Sequence, residues 1–129
     1  MKTEISRTVL DAIQSHAATE PAREVCGLLF GGGGRIDAAT PAENVAEEPG
    51  RRFEIDPAAL IAAMRAERAG GPKLLGYYHS HPNGPPEPSA TDRAFAATDG
   101  RLWLIIARGE IAAWKAGEGG FEPVELVSD

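Results

Sequence analysis

Apolar residues in the first twenty positions recur at helical spacing. Ile5, Val9, Ala12, Ile13 and His16 share one face, which predicts an amphipathic helix over about 4–18, ended by Pro21. "EVCGLLFGG" is a short continuous apolar run closed by glycines, the pattern of a buried strand. "GGGG" (31–34) predicts a turn into a second strand, "RIDAAT", and "RRFEI" predicts a third after the loop "NVAEEPG".

Asp56-Pro57 has the chemistry of a helix start, with a capping carboxylate followed by proline at the first helical position. Leu60, Ile61 and Met64 supply the apolar face, and Gly70-Gly71 end the helix. "KLLGYYHSHP" reads as a strand entering a loop, and Ser89 opens a short helix to about Ala97. "LWLIIAR", "IAAWKA" and "EPVELV" close the chain as strands. The order predicts a single α/β (α+β) domain over 1–129, with one sheet and a few helices packed on it.

With 25% charged and 43% hydrophobic residues, the 129-residue chain has ordinary globular usage and is long enough to bury a core. Its net charge of -6 lacks the basic footprint of a nucleic-acid binder and disfavours anionic membranes. Cys26 is the only cysteine, so no intrachain disulfide forms. The start "MKTEISRTVLDAIQ" puts charges where a signal peptide would need an apolar run, and no run approaches the ~20 apolar residues of a membrane span. A cytoplasmic location is expected, with no nucleic-acid or membrane partner.

The chemistry concentrates in "HSHPNGPPEPSATD", residues 79–92. Alternation along a strand points His79 and His81 the same way. Two imidazoles on one face can converge on one metal ion, and a catalytic zinc site typically adds a third protein ligand and a water. Asp92, one turn into the helix that starts at Ser89, is the natural third ligand. Ser-x-x-Asp is equally the pattern of a capping box, in which Ser89 and Asp92 only satisfy backbone amides. The combination is harder to dismiss. His-x-His-Pro, six residues and Ser-x-x-Asp fix five residue types, a chance match about once in several million positions at ~5% per residue. A hydrolytic site also needs a base, and Glu24 opens the apolar strand where a charge otherwise stays at a solvated end.

Glu24 in "EVCGLLFG", "RRFEIDP" and "YYHSHPNGPPEPSATD" together resemble the JAMM (MPN+) metalloprotease family, in its short stand-alone prokaryotic form. The resemblance implies a curved mixed β-sheet flanked by helices. It implies one Zn2+ per chain held by His79, His81 and Asp92 with water as fourth ligand. Glu24 would deprotonate that water and pass the proton to the leaving amine, and Ser89 would hydrogen-bond the developing oxyanion or the water. The implied activity is (iso)peptidase cleavage after the C-terminal glycine of a ubiquitin-like or ThiS/MoaD-type β-grasp sulfur-carrier protein. Phe53 either lines the channel for that glycine tail or faces the core.

Two other classes compete. One is a non-catalytic module that binds a β-grasp partner. The other resembles the RadC-type proteins associated with DNA repair. It is opposed by the acidic charge, the "EVCGLLFG" start and a length expected to leave no room for a preceding DNA-binding domain. His16, on the first helix, is expected to stay outside any metal site. Cys26 reads as a small buried residue before it reads as a redox centre. Gly31 to Gly34 lack the Lys-Ser/Thr of a phosphate loop. Trp103 and Trp114 are expected to pack the sheet.

Overall fold

Seven strands wrap into a closed barrel in a computed structural model that describes residues 2–129; Met1 of the expected 1–129 domain lies outside the described residues. The elements are β1 (Lys2–Ile5), α1 (Arg7–Thr19), β2 (Cys26–Gly32), β3 (Arg35–Ala42), α2 (Pro57–Arg68), β4 (Lys73–Ser80), α3 (Ala90–Phe95), β5 (Leu102–Ala107), β6 (Glu110–Gly117) and β7 (Gly120–Ser128). The strand order is β1-β3-β2-β4-β5-β6-β7. Pairing is parallel at β1–β3, β1–β7 and β4–β5 and antiparallel elsewhere, so the expected mixed sheet is present. It curves until its edges meet, because β1 pairs with both β3 and β7.

That closing strand corrects the first predicted element. The helix begins at Arg7, where Ser6 caps it by accepting the Val9 N–H at 3.2 Å. Residues 2–5 are strand. Ile5 keeps the apolar spacing of the helix but is fully buried as a strand residue, so periodicity alone could not separate the two.

The second correction concerns "RRFEI". It forms no strand; a single antiparallel bridge joins Asn44 to Ile55. The third is Ile61, which is half exposed; α2 instead turns Leu60, Ala63 and Met64 inward, the i, i+3, i+4 stripe of an amphipathic helix. Its start is as expected, with Asp56 Oδ1 accepting from Ala58 N–H and Pro57 first in the helix. The α3 helix ends at Phe95, two residues short of the expected end.

Two apolar layers hold the barrel. Val9 and Ile13 of α1 pack with Ile5, Leu29, Ile36, Tyr78 and Leu104. On the other face, α2 covers Cys26, Leu28, Ile55 and Leu74, with Phe53 and Tyr77 beside them. Alternation along β4 therefore sends Tyr77 and His79 toward the α2 side and Tyr78 toward α1, where its hydroxyl meets His16 Nδ1 at 2.7 Å. Gly27 lies opposite Tyr78 in the β2–β4 ladder, and any Cβ there would collide with the Tyr78 ring. The parallel pair β4–β5 needs a long crossover. That crossover, residues 81–101, carries His81, the proline loop and α3.

Candidate metal centre

The end of β4, the start of the crossover and the residue two before β2 meet at one point. His79 is the penultimate residue of β4, His81 follows the strand, Asp92 lies in the first turn of α3, and Glu24 precedes β2. All four are buried, and one ligand-capable atom from each lies within 4.8 Å of the others. His79 Nε2 and His81 Nε2 are 3.1 Å apart, and Asp92 Oδ2 is 3.2 Å and 3.1 Å from them. Asp92 forms the capping box and faces both histidines at once. Its Oδ2 also accepts the Ser89 N–H at 2.9 Å, while Ser89 Oγ accepts the Asp92 N–H at 3.0 Å, so the capping box and the facing histidines share one carboxylate oxygen.

The chemistry of this triangle favours a cation. His81 Nδ1–H donates to Pro85 O at 2.9 Å, which leaves Nε2 of the neutral ring as an acceptor. Asp92 Oδ2 is an acceptor too, and one proton on His79 Nε2 cannot serve both. Either an added proton or a metal ion resolves the conflict. The edges of 3.1–3.2 Å are close to the ligand separations of about 3.3 Å in a tetrahedral ion with bonds near 2.0–2.1 Å. The donor set of two imidazoles and a carboxylate is one that holds divalent metals. The residues therefore fit a metal, and the Pro85 carbonyl is the outer partner that fixes the His81 tautomer.

Without a metal, the protons distribute as this geometry requires. Burial pulls the His79 imidazole below its ordinary pKa, and the Asp92 hydrogen bond only partly restores it. Burial acts the same way on His81, but its bonds to Asp92 and Pro85 outweigh it and carry the pKa upward. Burial would raise Asp92, yet the two histidines and the Ser89 amide hold it well below the usual carboxylate range. Glu24 has the opposite balance. Burial pushes its carboxyl up to about 7, with His81 opposing the rise and Asp92 adding to it. Its Oε1 is buried without a hydrogen-bond partner.

Aromatic rings fix the first histidine. Phe53 stacks on His79 at 4.3 Å, and Trp103 meets both rings edge-on at 5.4 Å. A cavity of about 390 Å³ opens from this cluster, with Phe53, Leu60, Tyr77, Asp92, Phe95 and Trp103 in its walls. Phe53 thus covers a candidate ligand and lines the cavity, although its segment is not a strand. His16 stays outside the cluster. Cys26 is fully buried, with its thiol 3.6 Å from Ala42 O, and burial, aided by Glu24, pushes it up to about 12, far from a reactive thiolate.

Three supporting residues were not singled out as such from the sequence: Ser80, Asn44 and Trp114. Ser80 Oγ accepts the Val25 N–H at 2.9 Å, Asn44 Nδ2 donates to Glu24 O at 2.8 Å, and Trp114 Nε1–H donates to Pro86 O at 3.1 Å. Each bonds a backbone group, which leaves no complementary side chain for a sequence pattern to reveal.

Comparison with known proteins points the same way. The model of prokaryotic homologues of the JAB domain matches residues 6–117. A desampylase from Haloferax volcanii is 43% identical over 103 residues, covering 75% of this chain and 74% of that protein. A probable TtuB-protein conjugate cleaving protease from Thermus thermophilus is 35% identical over 88 residues, covering 68% of this chain and 59% of its own. A solution structure of a protein from Desulfitobacterium hafniense superposes with a TM-score of 0.85 at 26% identity, covering 98% of this chain and 92% of that one. The chain belongs to the prokaryotic JAB-domain proteins, the short prokaryotic branch of the JAMM/MPN family, and is a hydrolase of the isopeptidase type.

Proposed function

We propose that this protein is a zinc-dependent isopeptidase that hydrolyses the amide bond after the C-terminal glycine of a ubiquitin-like or ThiS/MoaD-type β-grasp protein. The carrying observation is the buried triangle of His79, His81 and Asp92 with the Glu24 carboxyl beside it. The conjugate-cleaving relative from Thermus thermophilus supports the substrate class.

His79 Nε2, His81 Nε2 and Asp92 Oδ2 would hold the zinc. When bound, zinc lowers the pKa of a water to ~7 and polarises the scissile carbonyl. The remaining steps belong to the protein. Glu24, which brings one carboxylate oxygen into the same cluster and has its Oε1 unpartnered, takes a proton from the attacking water and gives it to the departing amine. Ser89 Oγ already accepts the Asp92 amide, so its own O–H is free to donate to the oxyanion that develops on the carbonyl. The cavity walled by Phe53, Tyr77 and Trp103 would take the extended glycine-ending tail, whose lack of side chains suits a narrow apolar slot.

Wild-type and Glu24→Gln protein are incubated with β-grasp proteins carrying C-terminal extensions, and products are read by mass spectrometry. Wild type should contain about one zinc per chain and cleave after the glycine. Glu24→Gln should keep the zinc and lose cleavage. An active Glu24→Gln enzyme would refute the mechanism. Tight binding with no cleavage of any such protein would favour the non-catalytic binding module.

A further inference from the structure

Asn44 is buried, and its side-chain amide is fully used. Nδ2 donates to Glu24 O at 2.8 Å and to Arg52 O at 3.1 Å. Oδ1 accepts from Ala46 N–H at 3.1 Å and Glu54 N–H at 3.0 Å. A primary amide has two N–H donors and two acceptor lone pairs, so every position is filled. Glu24 N–H donates to Pro49 O at 2.7 Å. Both backbone polar groups of Glu24 are therefore held from residues 44–49. The same amide also takes one backbone group on each side of Phe53, the ring that stacks on His79.

We propose that Asn44 is a positioning residue that sets the general base and the cavity wall as one unit, an inference that rests on the reading of Glu24 as the base. Closure of the loop does not by itself require this bond. Val45 N–H donates to Glu54 O at 2.9 Å and Asp56 N–H to Glu43 O at 3.1 Å, so the loop ends are already tied by backbone alone. What Asn44 adds is the link from that tied loop to Glu24 and across Phe53. The residue type follows from the partners. Aspartate has no donor for the two carbonyls, alanine leaves four backbone groups without partners, and glutamine places its amide a methylene too far out to meet the same four groups. The consequence is that a displacement of Phe53, as a tail enters beside it, is transmitted to the Glu24 backbone through one rigid amide.

The test uses the full chain with Asn44→Asp, which keeps size and acceptors and removes both donors. Asn44→Ser, small enough to admit a water, serves where Asn44→Asp does not fold. The variant should bind zinc at the wild-type ratio, because Asn44 touches none of the three ligands. Its kcat should fall about 10- to 100-fold, the scale of a misplaced catalytic group, with a smaller rise in KM. Hydrogen exchange should increase together at Glu24–Val25 and at 52–54, while β4 is unchanged. Wild-type kcat at a temperature where the variant is folded, or faster exchange at 52–54 alone, would overturn the proposal. A wild-type protein that hydrolyses nothing would defeat the reading of Glu24 as base, and the exchange result would still decide whether Asn44 couples the two segments.

Discussion

Val25 and Ser80 exchange two hydrogen bonds across the head of the β2–β4 pair: Val25 N–H to Ser80 Oγ at 2.9 Å and Ser80 N–H to Val25 O at 3.0 Å. The regular ladder starts one residue later, at Cys26 opposite His79. The serine between the two histidines thus fixes the neighbour of Glu24. Glu24 and His79 come from segments 55 residues apart, as Val25 and Ser80 do, and this pair clamps them in register. Ser80→Ala strands a buried amide, at a cost of about 1–3 kcal/mol, whereas Ser80→Thr keeps the hydroxyl. Chemical denaturation should therefore show a clear loss for alanine and a small change for threonine. Zinc content should match wild type in both, and kcat should fall further in the alanine variant. Equal stability of the two variants would show that the hydroxyl does not support Val25.

Asp92 carries two jobs on one oxygen, and a substitution can separate them. Asp92→Asn retains a carbonyl oxygen for the Ser89 amide but loses the negative charge facing His79 and His81. Zinc measured after dialysis should drop to near zero, and the metal-stripped variant should melt below metal-stripped wild type, because it also loses the charge that faces the two histidines. Ser89→Ala should do the reverse for the helix. It removes the acceptor of the Asp92 amide and costs about 1 kcal/mol of stability, with zinc retained and kcat reduced. Full zinc occupancy in Asp92→Asn would remove Asp92 from the ligand set.

The Glu24 carboxyl makes the metal-free protein pH-sensitive in a defined direction. Its folded pKa, about 7, lies above the ordinary 4.5. Between these values the folded state binds more protons than the unfolded one, so stability falls as pH rises through the window and the loss is complete above it. Glu24→Gln lacks this titration. The difference in Tm between metal-stripped Glu24→Gln and metal-stripped wild type should grow from about pH 4.5 to 7 and then level off. A difference that stays constant over that window would mean that Glu24 is not held in a desolvating site.

The convergence of His79, His81, Asp92 and Glu24 was legible because residue types rare at that spacing carry the signal in their side chains. The hairpins were legible because their partners are near in sequence. β1 was not. Its four residues pair with β7, more than 120 positions away, and Ile5 satisfies a helical spacing as well as a strand one. "RRFEI" has the β-branched and aromatic composition of a strand, but its backbone bonds go to Asn44 and the loop, leaving one bridge. Asn44 itself looks like a loop residue in "NVAEEPG", since backbone groups are present at every position and give no signal. Trp114 was read as sheet packing, and its position pairs with Trp103 in the β5–β6 ladder, but its indole N–H has a separate task.

That task leads to the proline loop. Trp114 Nε1–H donates to Pro86 O at 3.1 Å, and the adjacent carbonyl of Pro85 accepts His81 Nδ1–H at 2.9 Å. Proline fixes the backbone between the two carbonyls, so a tether on one restrains the other. Trp114 therefore orients a histidine it does not touch. Trp114→Phe keeps an aromatic ring at the β6 position that pairs with Trp103 and removes the donor. The lost bond is to a part-buried carbonyl, so the metal-stripped variant should lose no more than about 1 kcal/mol. The effect should appear in the metal. Outer partners of ligating histidines are worth 10- to 100-fold in affinity, and one bond further out a weakening of about tenfold is expected. Competition with a chromogenic chelator would measure it, with faster zinc release in the variant. Unchanged release would show that the proline loop holds Pro85 O in place without help from β6.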